Sequence, residues 1–163
     1  IEPAIKPAAT HSKTQTIGIL ATQGTLNSEL FNKTVEMYQD TKIIEQIGHG
    51  LVQLIESGNI DSAEMKQLLT EYLTPMIEAN IDYLVLGCSH YPYLIPQIKK
   101  ILPPHIQIID SGAAVAKQTQ NVLKEKVGLS NLTESHPVFF FFSDSKVLSD
   151  ILGNKFEVLQ KDF

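Results

Sequence analysis

The residues able to do chemistry gather in one short stretch. "LVLGCSHYPYL", residues 84–94, holds Cys88, the only cysteine of the chain, with Ser89 and His90 directly after it. A thiol has a reference pKa of about 8.5, so it is mostly protonated at neutral pH; an adjacent imidazole, or N–H groups aimed at the sulfur, favours thiolate. Thiolate serves as nucleophile or general base, and thiol as general acid. Against this stands a structural role, since free cysteine is among the most buried residue types. On chemistry alone the two readings are about even, and the polar "SHYP" context tips the balance toward function. His90 by itself reads as a hydrogen-bonded structural group; beside Cys88 its functional reading gains weight. Glu56, in the otherwise apolar "LIESG", reads by default as a solvated carboxylate at a helix end. Thr22, Gly24 and Thr25 in "ATQGT" form either an anion-binding turn or a helix cap. Asp110 and Ser111 in "IIDSG" are explained by N-capping. His11, His49, His105 and His136 show no metal-ligand spacing, and no role is assigned to them.

These groups need elements to hold them. Residues 16–22, "TIGILAT", read as a short buried strand, followed by a turn and one helical pattern over "LNSELFNKTVEMY", in which Leu26, Leu30, Val35 and Tyr38 share an apolar side. "KIIEQIG" is a second strand, and "GLVQLIESG" a short helix closed by Gly58. Asp61 is expected to cap the next helix, with Glu64 completing a capping box. That helix runs to Asn80, with Pro75 bending or locally disrupting it. "DYLVLGC" is a nearly all-apolar strand, as expected for one covered on both faces. Helix "YLIPQIKKIL", strand "IQIIDSG" and helix "GAAVAKQTQNVLKEKVG" follow. A polar loop at 129–137 is a candidate seam. Strand "VFFFFSD", whose phenylalanines read as core, helix "SKVLSDILGN" and strand "FEVLQKD" complete the chain. Alternating strands and helices predict an α/β fold with a mainly parallel sheet. In such sheets ligands sit beyond the carboxyl ends of the strands, which is where "ATQGT" and "GCSHYP" fall.

Bulk properties narrow the function. The chain has 163 residues, enough for a real core, with 43% hydrophobic and 19% charged residues and a formal charge of -5. No basic run supports a nucleic-acid surface, though backbone N–H groups can still take a small anion. One cysteine rules out an internal disulfide and a four-thiolate zinc site, and a reducing cytosol is the simplest compartment. No apolar run approaches a membrane span, and "IEPAIKPAATHSK" has no signal-peptide core. Starting at Ile1, the chain reads as processed or trimmed.

Taken in order, "IEPAIKPA", "IGILATQGTL", "LIESG", "LVLGCSHYPYL" and "IIDSGAAVA" resemble the glutamate racemases of the aspartate/glutamate racemase superfamily, over nearly the whole chain. "GCSHYP" resembles that family's specific Gly-Cys-Thr-His-Tyr-Pro block. The resemblance implies a parallel-sheet α/β sandwich of that type. One domain would be complete over residues 1–110, and residues 111–163 would be a C-terminal segment returning to the first domain. It implies inversion of the glutamate α-carbon between two cysteines, with no cofactor and no metal. Cys88 would be the second of the two, His90 its assistant and Glu56 a carboxylate near the same site. Ser89 falls on the family's substrate-binding threonine, and Thr22 and Thr25 join the substrate-binding set. L- and D-glutamate would be the ligands, and the D-enantiomer would feed peptidoglycan synthesis in bacterial cytoplasm.

Two departures matter. Ser89 replaces threonine but keeps the hydroxyl. The family's other cysteine, and an Asp-Ser pair that binds substrate, have no counterpart here. On this reading the chain is a fragment, inactive alone. Its partners would be the missing N-terminal part of the same enzyme and, among the open options, a second copy in a homodimer; no nucleic acid and no membrane are expected. The tail from about 111 would expose a face meant for the missing domain. A non-catalytic binding module of the same fold, and a racemase for aspartate or another amino acid, stay open as alternatives.

Overall fold

The computed structural model describes residues 1–128, 139–142, 145–153 and 155–161. Four strands, β1 (Thr16–Ala21), β2 (Lys42–Ile47), β3 (Tyr83–Gly87) and β4 (Gln107–Ile109), form one sheet in the order β2-β1-β3-β4. Every pairing is parallel. The register pairs Ala21 with both Ile47 and Gly87, so the carboxyl ends of the three longer strands are level. Thr22, Gly48 and Cys88 therefore leave the sheet side by side.

Period-two alternation sends the strand side chains to opposite faces. Ile17, Ile19, Ala21 and Val85 pack with Ala4, Ile5 and Ala8 of α1 (Glu2–His11), Leu26 of α2 (Gln23–Leu26) and Phe31 of α3 (Glu29–Glu36). Leu20, Leu84 and Leu86 meet Leu51 and Ile55 of α4 (Leu51–Glu56), Leu69, Leu73 and Met76 of α5 (Ala63–Glu78), and Ile98 of α6 (Ile95–Ile101). The central strand β1 is buried along its whole length, as a strand covered on both faces must be. Each such Leu or Ile contributes about 1.5–3 kcal/mol by leaving water. Gly18 is required there: a Cβ would stand 2.7 Å from the Met76 sulfur.

Helix ends follow local rules. Gly58, at φ 74°, closes α4, with Gly58 N donating to Ile55 O and Asn59 N to Leu54 O, the paired bonds of a left-handed C-terminal cap. Asn80, at φ 59°, closes α5 in the same way. Three expectations need correction. The helix over residues 26–38 is two helices, because the Ser28 hydroxyl accepts from Phe31 N and starts a new one; Leu30 is then turned outward, 58% exposed. Asp61 does not cap α5; Ser62 does, accepting from Met65 N, while Asp61 accepts from the Gln97 amide. Ser111 makes no side-chain cap for α7 (Gly112–Lys126); Asp110 takes the first amide, from Gly112 N at 2.6 Å. α5 continues unbroken through Pro75.

At the amino end of the sheet, Asp82 fastens the α1–β1 connection. Its carboxylate accepts from Ser12 Oγ at 2.7 Å, Lys13 N at 2.6 Å and Thr14 N at 3.1 Å. Partial burial pushes this carboxyl up, but the hydrogen bonds outweigh it and hold the group below its usual range. β5 (Phe139–Phe142) and β6 (Glu157–Gln160) pair in parallel as a separate two-stranded sheet, with α8 (Ser145–Ile151) between them in sequence. α7 has no buried residue. The expected seam at 129–137 and His136 lie outside the described residues, as do the side chains of the four phenylalanines.

Candidate active site

The level strand ends build the site. After β3 the chain turns at Cys88 and enters a tight 3-10 turn over Tyr91–Leu94, in which Tyr91 N donates to Cys88 O at 3.2 Å. Gly87 makes this turn possible: a Cβ there would sit 2.7 Å from Ala21 Cβ and 2.5 Å from Ile1 Cδ1. Cys88 is partly buried against the core beneath α4 and α5, Ser89 is exposed, and His90 lies between them with its ring turned back over the sulfur.

Three of the sequence-identified groups fall in line. Cys88 Sγ is 3.9 Å from His90 Nδ1, and His90 Nε2 is 3.1 Å from Glu56 Oε1. Glu56 arrives from the last turn of α4, solvent-exposed at a helix end as its default reading has it, and it also pairs with His90. A carboxylate only accepts, so His90 Nε2 carries a proton and donates it. With that proton fixed, Nδ1 of the neutral ring presents a lone pair to the thiol. On proton transfer from sulfur to Nδ1, the carboxylate steadies the imidazolium and the imidazolium steadies the thiolate. Ser89 Oγ stands 3.5 Å from the same Nδ1, at the outer limit of a hydrogen bond. The His90–Glu56 contact is half open to solvent, with His90 34% and Glu56 54% exposed, so it orients more than it stabilises.

Thr22 and Thr25 sit directly across from Cys88 on the neighbouring strand end. Thr22 Oγ1 accepts from Thr25 N at 3.3 Å and lies 3.0 Å from Thr25 Oγ1; Thr25 Oγ1 donates to Gly87 O at 3.1 Å. Since the Thr25 proton goes to Gly87, Thr22 is the donor between the two hydroxyls. The turn thus caps α2 and tethers the end of β1 to the end of β3. Of the two alternatives the sequence left for "ATQGT", the helix cap is what these bonds form; both hydroxyl protons are spent inside the turn, so each hydroxyl offers only a lone pair, which suits a donor rather than an anion. Gly48 was passed over in the sequence; its signal is its place at the end of β2, level with Thr22 and Cys88. Among the described residues, no group of three or more His, Cys, Asp and Glu has the geometry of a metal site.

Comparison with known proteins shows the family. Residues 1–119 match the family described as Asp/Glu/Hydantoin racemase. A glutamate racemase of Pseudomonas putida (strain W619) is 39% identical over 153 residues, 93% of this chain and 58% of that protein. One from Herpetosiphon aurantiacus is 40% identical over 124 residues, 76% of this chain and 49% of its own length. Among solved structures, a glutamate racemase isoform of Bacillus anthracis aligns with a TM-score of 0.80 at 28% identity, covering 100% of this chain and 63% of that one. The Escherichia coli glutamate racemase, in complex with L-glutamate and the activator UDP-MurNAc-ala, aligns at 0.78 with 27% identity, covering 97% and 62%. The chain therefore spans about half to three-fifths of the length of these relatives.

Proposed function

Because the chain belongs to the Asp/Glu/Hydantoin racemase family, we propose that it is a glutamate racemase polypeptide in which Cys88 is one of two acid/base groups. The observation that carries this reading is the alignment of Glu56, His90 and Cys88 at the carboxyl end of the parallel sheet. Glutamate is favoured over aspartate because the curated relatives at 39–40% identity are glutamate racemases.

The chemistry follows from the arrangement. As thiolate, Cys88 takes the α-proton; the C–H electron pair stays on carbon and spreads into the substrate carboxylate. In the reverse direction the Cys88 thiol returns a proton to that carbanion and becomes thiolate. His90 holds the thiol proton between turnovers, and Glu56 fixes the ring orientation that makes this possible. Ser89, exposed beside the sulfur, donates to the substrate carboxylate, and the free lone pairs of Thr22 and Thr25 receive the α-ammonium. Donors aimed at the carboxylate where charge accumulates stabilise the carbanion most. No cofactor is required by this scheme.

Inversion needs a second group on the opposite face of the α-carbon, and these 163 residues contain one thiol. The second thiol would come from a polypeptide corresponding to the remainder of the relatives' length. Residues 1–110 would then be one domain, and residues 111–163 would complete the other. D-glutamate for peptidoglycan, made in bacterial cytoplasm, is the use we assign; no described helix is long and apolar enough to cross a membrane. The expected outcome is that purified chain 1–163 gives no change in the circular dichroism of L- or D-glutamate with time. Turnover by the chain alone would overturn the two-thiol assignment. The single cysteine also favours a second reading, a binding module without catalysis. That module would bind glutamate in D2O without exchanging its α-proton even after the complementary portion is added.

A further inference from the structure

Two tyrosine hydroxyls converge on the turn between β2 and α4. Tyr91, fully buried, donates to Gly48 O at 3.1 Å, and Tyr72 of α5 donates to His49 O at 3.0 Å. The turn between them has little slack. Gly48 N donates to Ala21 O at 2.9 Å, a Cβ on Gly48 would lie 2.4 Å from the Tyr91 hydroxyl, and Gly50 enters α4 in the left-handed conformation at φ 77°. From this turn α4 runs six residues and ends on Glu56, the carboxylate that meets His90. Tyr91 is also the residue directly after His90. Its backbone thus carries the imidazole, while its side chain holds the turn that carries the imidazole's partner.

We infer that Tyr91, with Tyr72 in support, is a positioning residue: its bond to Gly48 O sets the separation of Glu56 from His90, and through it the tautomer that His90 presents to Cys88. The inference rests on the proposed role of the Cys88–His90–Glu56 line.

A short helix moves as a rod, about 9 Å long for six residues. A displacement of a few tenths of an ångström at its first turn therefore reaches its last, and the 3.1 Å contact has about 0.4 Å to spare before it ceases to be a hydrogen bond. Phenylalanine in place of Tyr91 would fill the same core, but it would leave the buried Gly48 carbonyl with only the long 3.4 Å bond from Leu51 N, so the turn shifts toward that remaining donor. Burial, then the neighbouring Cys88 and Tyr72, pushes the Tyr91 hydroxyl well above its ordinary range. Burial, then Glu71, raises Tyr72 too. Both therefore remain donors throughout the range in which thiol and imidazole titrate. The titratable groups beside the sulfur are then His90 from its own loop and the protonated phenol of Tyr91, with Glu56 of α4 reaching it through His90 and Tyr72 through Tyr91.

A single cysteine makes the test unambiguous. Alkylation of the 163-residue chain by iodoacetamide is followed by intact mass from roughly pH 5.5 to 9.5, the span of thiol and imidazole titration. The proteins compared are wild type, Tyr91→Phe, Tyr72→Phe and His90→Ala, each with its far-ultraviolet circular dichroism. The expected result is that Tyr91→Phe keeps its helix content while its rate profile moves toward that of His90→Ala, with Tyr72→Phe displaced the same way by less. A displacement of one pH unit changes the reactive fraction on the acid limb about tenfold. A Tyr91→Phe profile lying on the wild-type curve, with His90→Ala displaced, overturns the inference and leaves the Cys88–His90 line intact. A His90→Ala profile lying on the wild-type curve removes that line, and the inference with it. Should Tyr91→Phe not fold, Tyr72→Phe decides by the same comparison.

Discussion

Cys88 ends a line of side chains drawn from two parts of the sequence. Glu56 lies 34 positions before His90 and meets it at 3.1 Å, and the shared imidazole faces the sulfur. In the two-part enzyme proposed above, Cys88→Ala is expected to lower the rate by about 10²–10⁴-fold, the usual worth of a positioned proton-transfer group. Steady-state polarimetry checks this, and an unchanged rate would remove Cys88 from the mechanism. Asp82 is the other residue with a measurable signature. Its carboxyl titrates lower in the folded chain than in the unfolded one, so its contribution is fully present above the unfolded value of about 3.9 and is lost as pH falls through the folded value. Asp82→Asn is expected to cost about 2 kcal/mol at pH 7, the worth of hydrogen bonds to a charged group. The deficit should begin to shrink below about pH 4, where the unfolded carboxyl takes up a proton, and go on shrinking until the folded one does too. Urea denaturation at the two pH values measures both; an equal deficit at each would show that the charge is not what holds the connection.

At the scale of elements, short-range signals decide most of the fold. Two glycines, one closing α4 and one within α2, give opposite expectations. Gly58, at φ 74°, is expected to lose about 1 kcal/mol on replacement by Ala, because a Cβ is unfavourable in the left-handed region. Gly24 lies in α2 at an ordinary φ, and a Cβ there would meet nothing within 4 Å, so Gly24→Ala should stabilise by about 0.5–1 kcal/mol. Thermal unfolding of both variants tests the pair. A loss at Gly24 would mean the turn is tighter than its surroundings indicate. Strands β1 and β3 are legible because a sheet covered on both faces requires continuous apolar runs, and the caps at Gly58 and Asn80 are legible because few residues adopt positive φ. The break at Ser28 is not, since apolar spacing carries on across it and only the hydroxyl's competition for the Phe31 amide separates the two helices. The cap at Ser62 is hidden because Asp61, one residue earlier, is an equally good capping type. Its carboxylate is instead engaged by Gln97, which is 36 positions away and visible only in three dimensions. For the site, Cys88, Ser89 and His90 announce themselves by adjacency. The pairing of Glu56 with the ring depends on how α4 leaves Gly48, a packing outcome that no local pattern encodes.

For the molecule as a whole, the sheet of β1–β4 has helices on both faces, whereas α7 has no buried residue and shows Val115 at 52% exposure, with Val122 and Leu123 also exposed and Val127, directly after the helix, at 76%. An apolar stripe of this kind on an otherwise polar helix favours association. The chain alone is expected to self-associate with rising concentration, and Val122→Lys together with Val127→Lys to reduce this; sedimentation velocity reads the difference. Indifference to the two charges would place the contact elsewhere. The level register of β1, β2 and β3 has a practical corollary. Everything assigned to proton transfer stands on one rim of the sheet, whereas the connection before β2 lies on the other, and Gln39 and Asp40 there are exposed. Unlike the neighbouring stretch held by Asp82, it carries no side-chain clamp among the described residues. It is the natural place to graft a fluorophore-bearing tag or to open the chain for circular permutation, giving a reporter that leaves the thiol untouched.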